Sequence, residues 1–186
     1  DDKTTRQLQL FNATTKGCGG LRSSANSAAI IAWPATHQDW VRPGLILYGA
    51  SPLLNQSARQ LELLVVMNFY SRIIVIKQVK KGEAVGYGGS WVATKDILLG
   101  VISIGYGDGY PRYAKPGTPV LINKQRVPLV GRVSMDMITV DLTGHTGIKT
   151  GDQVLLWGAG LPVEEIAGYA DTIPYTLLCG ITRRVR

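Results

Sequence analysis

Tyr87 lies between glycines in Gly86-Tyr87-Gly88-Gly89-Ser90-Trp91, and the arrangement returns at Gly105-Tyr106-Gly107-Asp108-Gly109-Tyr110 with Arg112 close behind. Glycine reaches backbone conformations closed to other residues and lets a ligand approach, so a tyrosine framed by glycines at a strand end can carry its phenol into a cleft. A phenol placed there can pass a proton or donate a hydrogen bond. The plainer reading is a packed turn aromatic, because glycine marks turns as well as sites. Two such tyrosines 19 positions apart, the second followed by Asp108 and Arg112, fit the plainer reading less well, and both readings stay open.

Two turns carry the signature of anion chemistry. Asn26-Ser27 precedes the helix-forming run Ala28 to Ala32, and either side chain can accept from the N–H groups that a helix start leaves free. Those N–H groups, the Ser27 hydroxyl and the positive end of the helix dipole can equally bind a phosphate. Gly44-Leu45, after Arg42-Pro43, offers a second such turn, and two turns can close on one phosphate. The proline after Arg42 keeps that residue extended and displays its guanidinium from a strand end. Arg42 is then either a solvated surface cation or one that faces a ring nitrogen or a carboxylate and stays protonated. Further on, Asp136 stands between Met135 and Met137 at the end of apolar strand sequence, which fits a paired carboxylate, a ligand site or a bulge. His37 and His145 read as loop residues without a role.

The elements that must hold these residues fall into two textures. Residues 3 to 12 read as a weak amphipathic helix with no strand before it, as in a chain cut within a domain. Leu21 to Ser24 followed by Asn26 to Ala32, stopped by Pro34, makes one strand-to-helix step, and Asp39 to Arg42 followed by Leu45 to Gly49 makes another. Such steps in succession resemble units of a parallel α/β fold, where ligand groups collect at strand C-termini. Beyond Pro52 the chain turns β-rich: residues 63 to 79, then Ile97 to Ile104, Thr118 to Ile122, Val127 to Val133, Met137 to Leu142 and Gln153 to Trp157. A mainly antiparallel β domain or barrel is expected, interrupted by a single helix with Pro162 as its first residue. The boundary is expected near residues 52 to 63.

The 186 residues carry a formal charge of +7, compatible with a phosphorylated ligand or with nothing beyond solubility. The basic residues are scattered apart from Arg183, Arg184 and Arg186, and no aromatic and basic interleaving forms a nucleic-acid track. Cys18 and Cys179 show no metal or disulfide spacing. No apolar run is long enough to span a membrane and the start is unlike a signal peptide, so a soluble, cytoplasmic protein without nucleic-acid, membrane or metal partners is expected.

Several stretches together resemble one family: Ala25-Asn26-Ser27-Ala28-Ala29, Trp40-Val41-Arg42-Pro43-Gly44 with Leu47-Tyr48-Gly49, Val85-Gly86-Tyr87-Gly88, Ile104 to Arg112, and Val130-Gly131-Arg132 with Met135-Asp136-Met137. In this order, over nearly the whole chain, they are similar to the C-terminal half of alanine racemase, a pyridoxal 5′-phosphate isomerase that interconverts L- and D-alanine. The resemblance implies a partial TIM-type α/β barrel in residues 1–55 and a C-terminal β-barrel-like domain in residues 63–186. It also implies a head-to-tail homodimer with shared active sites. Tyr87 matches the tyrosine that exchanges the α-proton on one face of the substrate, and Tyr106 one that lines the way to it. Met135 matches a backbone N–H contact to the substrate carboxylate, with Asp136 beside it. Ser27, Gly44, Leu45 and Tyr175 match phosphate contacts, and Arg42 the arginine that faces the pyridine nitrogen.

Two departures accompany the resemblance. Many relatives carry a histidine two residues before Ala25, where this chain has Ser23, so the surroundings of Arg42 are expected to differ. The Schiff-base lysine and the arginine that grips the substrate carboxylate belong to the N-terminal half of such enzymes, and no lysine here lies in that motif. The chain alone is therefore expected to be inactive. A non-enzymatic β-domain module for dimerisation or binding, and a racemase for another small amino acid such as serine, stay open as alternatives.

Overall fold

The structure, a computed structural model, describes residues 2–185; Asp1 and Arg186, used above in the N-terminal reading and the C-terminal basic group, lie outside the described residues. The chain forms two compact units that divide between Leu63 and Leu64.

In the first unit, helix α1 (Asp2–Thr14) buries none of its residues. Strand β1 (Ser23–Asn26) leads directly into helix α2 (Ser27–Ala32), and strand β2 (Trp40–Arg42) leads through Pro43-Gly44 into a 3-10 turn, Leu45–Tyr48. The two strands pair in parallel, with Asn26 opposite Arg42. Parallel neighbours need a crossover, which here consists of α2 and a short 3-10 turn opened by Pro34. Both strand ends therefore reach the same edge, as the two sequence steps predict, although β1 begins at Ser23 and extends through Asn26.

The second unit is a closed antiparallel barrel of six strands. These are β3 (Phe69–Val79), β6 (Ile97–Ile102), β7 (Pro119–Ile122), β8 (Gln125–Val130), β9 (Ile138–Asp141) and β10 (Gln153–Trp157). Their order is β10-β3-β6-β9-β8-β7, and β7 pairs with β10 to close the ring. The period of two is visible in the buried sets Val120 and Ile122, Val127 and Leu129, Ile138 and Val140. Burying each of these side chains is worth about 1.5–3 kcal/mol. A separate small hairpin, β4 (Ala84–Val85) with β5 (Trp91–Val92), lies between β3 and β6 in the chain. It is anchored by an apolar cluster of Val79, Val85, Ala93, Ile97, Leu99 and Val130, against which Trp91 packs.

Two expectations need correction. The 63–79 run yields a strand only from Phe69 onward. The β-rich unit holds two helices rather than one: α3 (Val163–Tyr169), for which Pro162 is the N-cap and not the first residue, and α4 (Pro174–Cys179). Six residues are too few to show a helical period, and the one sequence sign of α4 is Pro174 in its first turn.

Candidate active site

At the strand ends of the first unit, the Asn26 side chain accepts from the Ala29 N–H at 3.0 Å and so caps α2. That frees Ser27 for another task. The residue is 2% exposed, and its hydroxyl accepts from the Gly44 N–H at 2.9 Å, which ties the two anion-type turns together. The Ser27 proton and the N–H of Leu45, the first residue of its 3-10 turn, have no partner among the described residues. Arg42 donates from Nη1 to both the carbonyl and the hydroxyl of Ser23, at 2.7 and 2.8 Å. Ser23, where the resemblance leads one to expect a histidine, is thus the residue that holds the arginine.

In the second unit, Tyr87 occupies the tip of the β4–β5 hairpin. The flanking glycines have φ of 80° at Gly86 and 70° at Gly88, conformations that a side chain would strain, and they turn the phenol out to 74% exposure. Tyr87 lines a cavity of about 750 Å³ together with Arg132, Ser134, Met137 and the hairpin residues Val85 and Gly86. The residues on either side of Met135-Asp136 therefore open on the same space as the tyrosine.

Tyr106 sits in a 3-10 turn (Tyr106–Asp108) stapled to the Ser134–Met137 turn. The Tyr106 N–H donates to the Ser134 carbonyl at 3.0 Å and the Gly107 N–H to the Met135 carbonyl at 2.9 Å. A Cβ at Gly105 would strike the backbone of Ser134 and Met135, so glycine is needed there for room. Because the peptide bonds of the described residues are trans, a carbonyl and the N–H that follows it point in opposite directions. Fixing the Ser134 and Met135 carbonyls on the Tyr106 turn therefore aims the N–H groups of Met135 and Asp136 away from it. Neither N–H has a partner among the described residues. The Arg112 guanidinium lies 5.8 Å from the Tyr106 ring and 5.9 Å from that of Tyr113.

Asp136 is a paired carboxylate in the turn between β8 and β9, one of the choices its sequence context left open. Its partner is Arg184, whose Nη2 donates at 2.6 Å and whose Nε meets Asp108 Oδ1 at 3.2 Å. The Asp136 hydrogen bond and then the Asp108 charge push the Arg184 pKa further up. In sequence, Arg184 reads only as one of a group of three arginines with Arg183 and Arg186. Tyr175 lies on α4, 40% exposed, with no partner for its phenol among the described residues. Tyr110, the last residue of the motif, is buried against Trp157, and burial pushes its phenol pKa up. No cluster of metal-binding side chains occurs among the described residues, and no helix among them is long and apolar enough to cross a membrane.

The sequence profile described as "Alanine racemase, C-terminal domain" matches residues 66–186, and the profile described as "Alanine racemase, N-terminal domain" matches residues 1–52. The chain belongs to the alanine racemase family. This alanine racemase family chain is 54% identical to the alanine racemase of Aeromonas hydrophila over 186 residues, which is 100% of the chain and 52% of that protein. Among solved structures it is similar to the biosynthetic alanine racemase from Pseudomonas aeruginosa, with a TM-score of 0.93 and 47% identity over 98% of this chain and 51% of that one. It is also similar to the alanine racemase from Bartonella henselae with covalently bound pyridoxal phosphate, with a TM-score of 0.88 and 30% identity over 100% of this chain and 52% of that one. The chain spans about half the length of the curated relatives it matches.

Proposed function

We propose that this chain is the C-terminal part of a pyridoxal-phosphate-dependent alanine racemase that interconverts L- and D-alanine by two-base proton exchange, and that Tyr87 is one of the two bases. The observation that carries the reading is Tyr87 itself: an exposed phenol on a positive-φ glycine turn, lining one cavity with the residues that flank the free Met135 N–H. In the working dimer, which we take to be head-to-tail, Tyr87 reaches into the partner subunit's site. The Schiff-base lysine and the arginine that grips the substrate carboxylate lie outside this chain, so the chain alone gives no racemisation.

The residues present fit the cofactor. A phosphate needs donors, and Ser27 keeps its hydroxyl proton while Leu45 keeps its N–H. The Gly44 N–H, already given to Ser27, secures the cradle of the first unit; Tyr175 of the second unit, which the family resemblance matches to a phosphate contact, has a phenol without a partner among the described residues. Arg42, held by Ser23 through Nη1, can present the rest of its fork to a ring nitrogen, and a guanidinium that never gives up its proton keeps that nitrogen unprotonated. When bound, pyridoxal phosphate supplies the electron-withdrawing system that makes the substrate α-proton acidic. Tyr87 then takes or returns that proton at its phenolic oxygen on one face. Met135 donates its N–H to the substrate carboxylate, Asp136 steadies the turn beside it, and Tyr106 lines the approach.

The test is to join this chain to an alanine racemase N-terminal half and assay both enantiomers. Pyridoxal-dependent racemisation is expected, with Tyr87→Phe losing solvent deuterium exchange from one enantiomer while the bound-cofactor absorbance is kept. Unchanged exchange in that variant would remove the role of Tyr87.

A further inference from the structure

The C-terminal segment ties together two turns that are distant in sequence. The Thr182 hydroxyl donates to the Gly107 carbonyl at 2.9 Å, and the Thr182 N–H to the Asp108 carbonyl at 3.2 Å. The Arg184 guanidinium lies against Gly107, where a Cβ would displace it, and spans from Asp108 in one turn to Asp136 in the other. The second Asp108 oxygen accepts the Gly105 N–H at 3.0 Å, so this carboxylate is fixed at both ends. In the facing turn the Ser134 hydroxyl accepts the Met137 N–H at 3.0 Å and donates to the Met137 carbonyl at 2.7 Å. Every backbone N–H of these two turns is paired among the described residues except those of Met135 and Asp136.

We propose that Arg184 is a positioning residue: by bridging Asp108 and Asp136 it holds the 105–108 and 134–137 turns at one spacing and so aims the Met135 N–H at the substrate carboxylate. The inference rests on the reading of Met135 as a substrate contact. Arg184 itself touches no substrate. Its side chain is 47% exposed, and an exposed ion pair adds little to stability. Its contribution is geometric, since the guanidinium donors lie in one rigid plane and can serve two carboxylates at once, which the single ammonium of a lysine does poorly. The two backbone hydrogen bonds between the turns transmit that spacing to the peptide plane that contains the Met135 N–H.

The experiment uses the full-length protein with Arg184→Met, Arg184→Lys, Asp136→Asn and the Arg184→Met/Asp136→Asn double variant. Arg184→Met is expected to raise KM for both alanine enantiomers about tenfold with kcat held within about twofold. It should also speed amide exchange of Tyr106 and Gly107 about tenfold while the melting temperature and cofactor absorbance stay put. Arg184→Lys should fall between wild type and Arg184→Met, and the double variant should be no worse than Arg184→Met alone. An unchanged KM in Arg184→Met, or additive losses in the double variant, overturns the proposal. Faster exchange without a KM change keeps the tie between the turns but removes Met135 as the contact, and the positioning role falls with it. Unchanged exchange shows that Arg184 does not hold the turns. Should Arg184→Met not fold, the charge-retaining Arg184→Lys carries the same readouts. A wild-type protein that does not racemise alanine removes both the function and this inference.

Discussion

The two glycine-framed tyrosines look alike in sequence and differ in what their glycines do. At the Tyr87 hairpin, Gly86 and Gly88 adopt positive φ, and a Cβ on Gly88 would meet nothing within 4 Å, so the glycines supply conformation. At the Tyr106 turn, Gly105 has extended backbone and is pressed against Ser134 and Met135, so it supplies space. One tyrosine is thrust outward from a lightly held tip, and the other, 42% exposed, stands on a turn fixed at a junction of three chain segments. A repeated motif is thus no guide to a repeated role: the first arrangement suits a group that must reach, and the second suits one that must stay.

The contrast can be broken in four ways. The largest effect is expected from removing the two hydroxyls in the joined full-length protein: Tyr87→Phe should lower the racemisation rate about 10²–10⁴-fold, the range of a lost general base. Tyr106→Phe should cost less than about tenfold, because it removes no proton carrier. Equal losses would erase the distinction. Next, Gly105→Ala should destabilise the chain by about 3 kcal/mol through backbone overpacking, against about 1 kcal/mol for Gly88→Ala, which meets only backbone strain. Thermal unfolding of the two variants decides between room and conformation.

Tyr110→Phe tests the second tyrosine of the 105–110 motif, whose hydroxyl is buried without a partner among the described residues. Replacing it should be neutral or stabilising by up to about 1 kcal/mol at neutral pH. The pH dependence has a definite sign. Burial raises the folded pKa, so below about 10 both states are protonated, and above it the unfolded phenol ionises first and favours unfolding. The wild type should therefore lose more stability than Tyr110→Phe above pH 10, which melting curves across that range would check. The smallest effect is expected far from both tyrosines, at Asp152. The Lys149 N–H and then Asn123 hold its carboxyl below the usual carboxylate range. Its stabilisation is present above the ordinary carboxylate pKa and is lost as pH falls through the lowered one. Asp152→Asn should thus be slightly less stable than wild type at neutral pH, with the gap closing in acid.

Where an element announces itself within a few residues, the sequence is a good guide. Asn26-Ser27 and Pro43-Gly44 mark two strand-to-helix junctions, and parallel pairing of β1 and β2 follows from them. The runs Val127 to Val133 and Met137 to Leu142 mark two barrel strands, which the fold sets at Gln125–Val130 and Ile138–Asp141. The family's signature residues were also legible, because they lie in short motifs. Helix α4 was missed because six residues show no period. Arg184 was missed because its partners Asp108 and Asp136 are joined to it only by the closing of the fold. The choice of Asn26 over Ser27 as the cap was equally hidden, since it turns on Ser27 being taken up by Gly44.

The ring of six strands is complete without the hairpin that bears Tyr87. Strands β3 and β6 are direct neighbours, and their register runs as far as Val79 opposite Ile97, so residues 80–96 are an excursion between two positions already paired. Container and tool are thus separate pieces of the same polypeptide. A short turn in place of the excursion would leave the strand ladder uninterrupted while removing the phenol, and an excursion of another length or composition would leave the ladder equally intact. The architecture allows the tyrosine-bearing tip to be varied without breaking the strand ladder, as long as Val85 and Ala93 of the excursion go on covering Val79, Ile97, Leu99 and Val130.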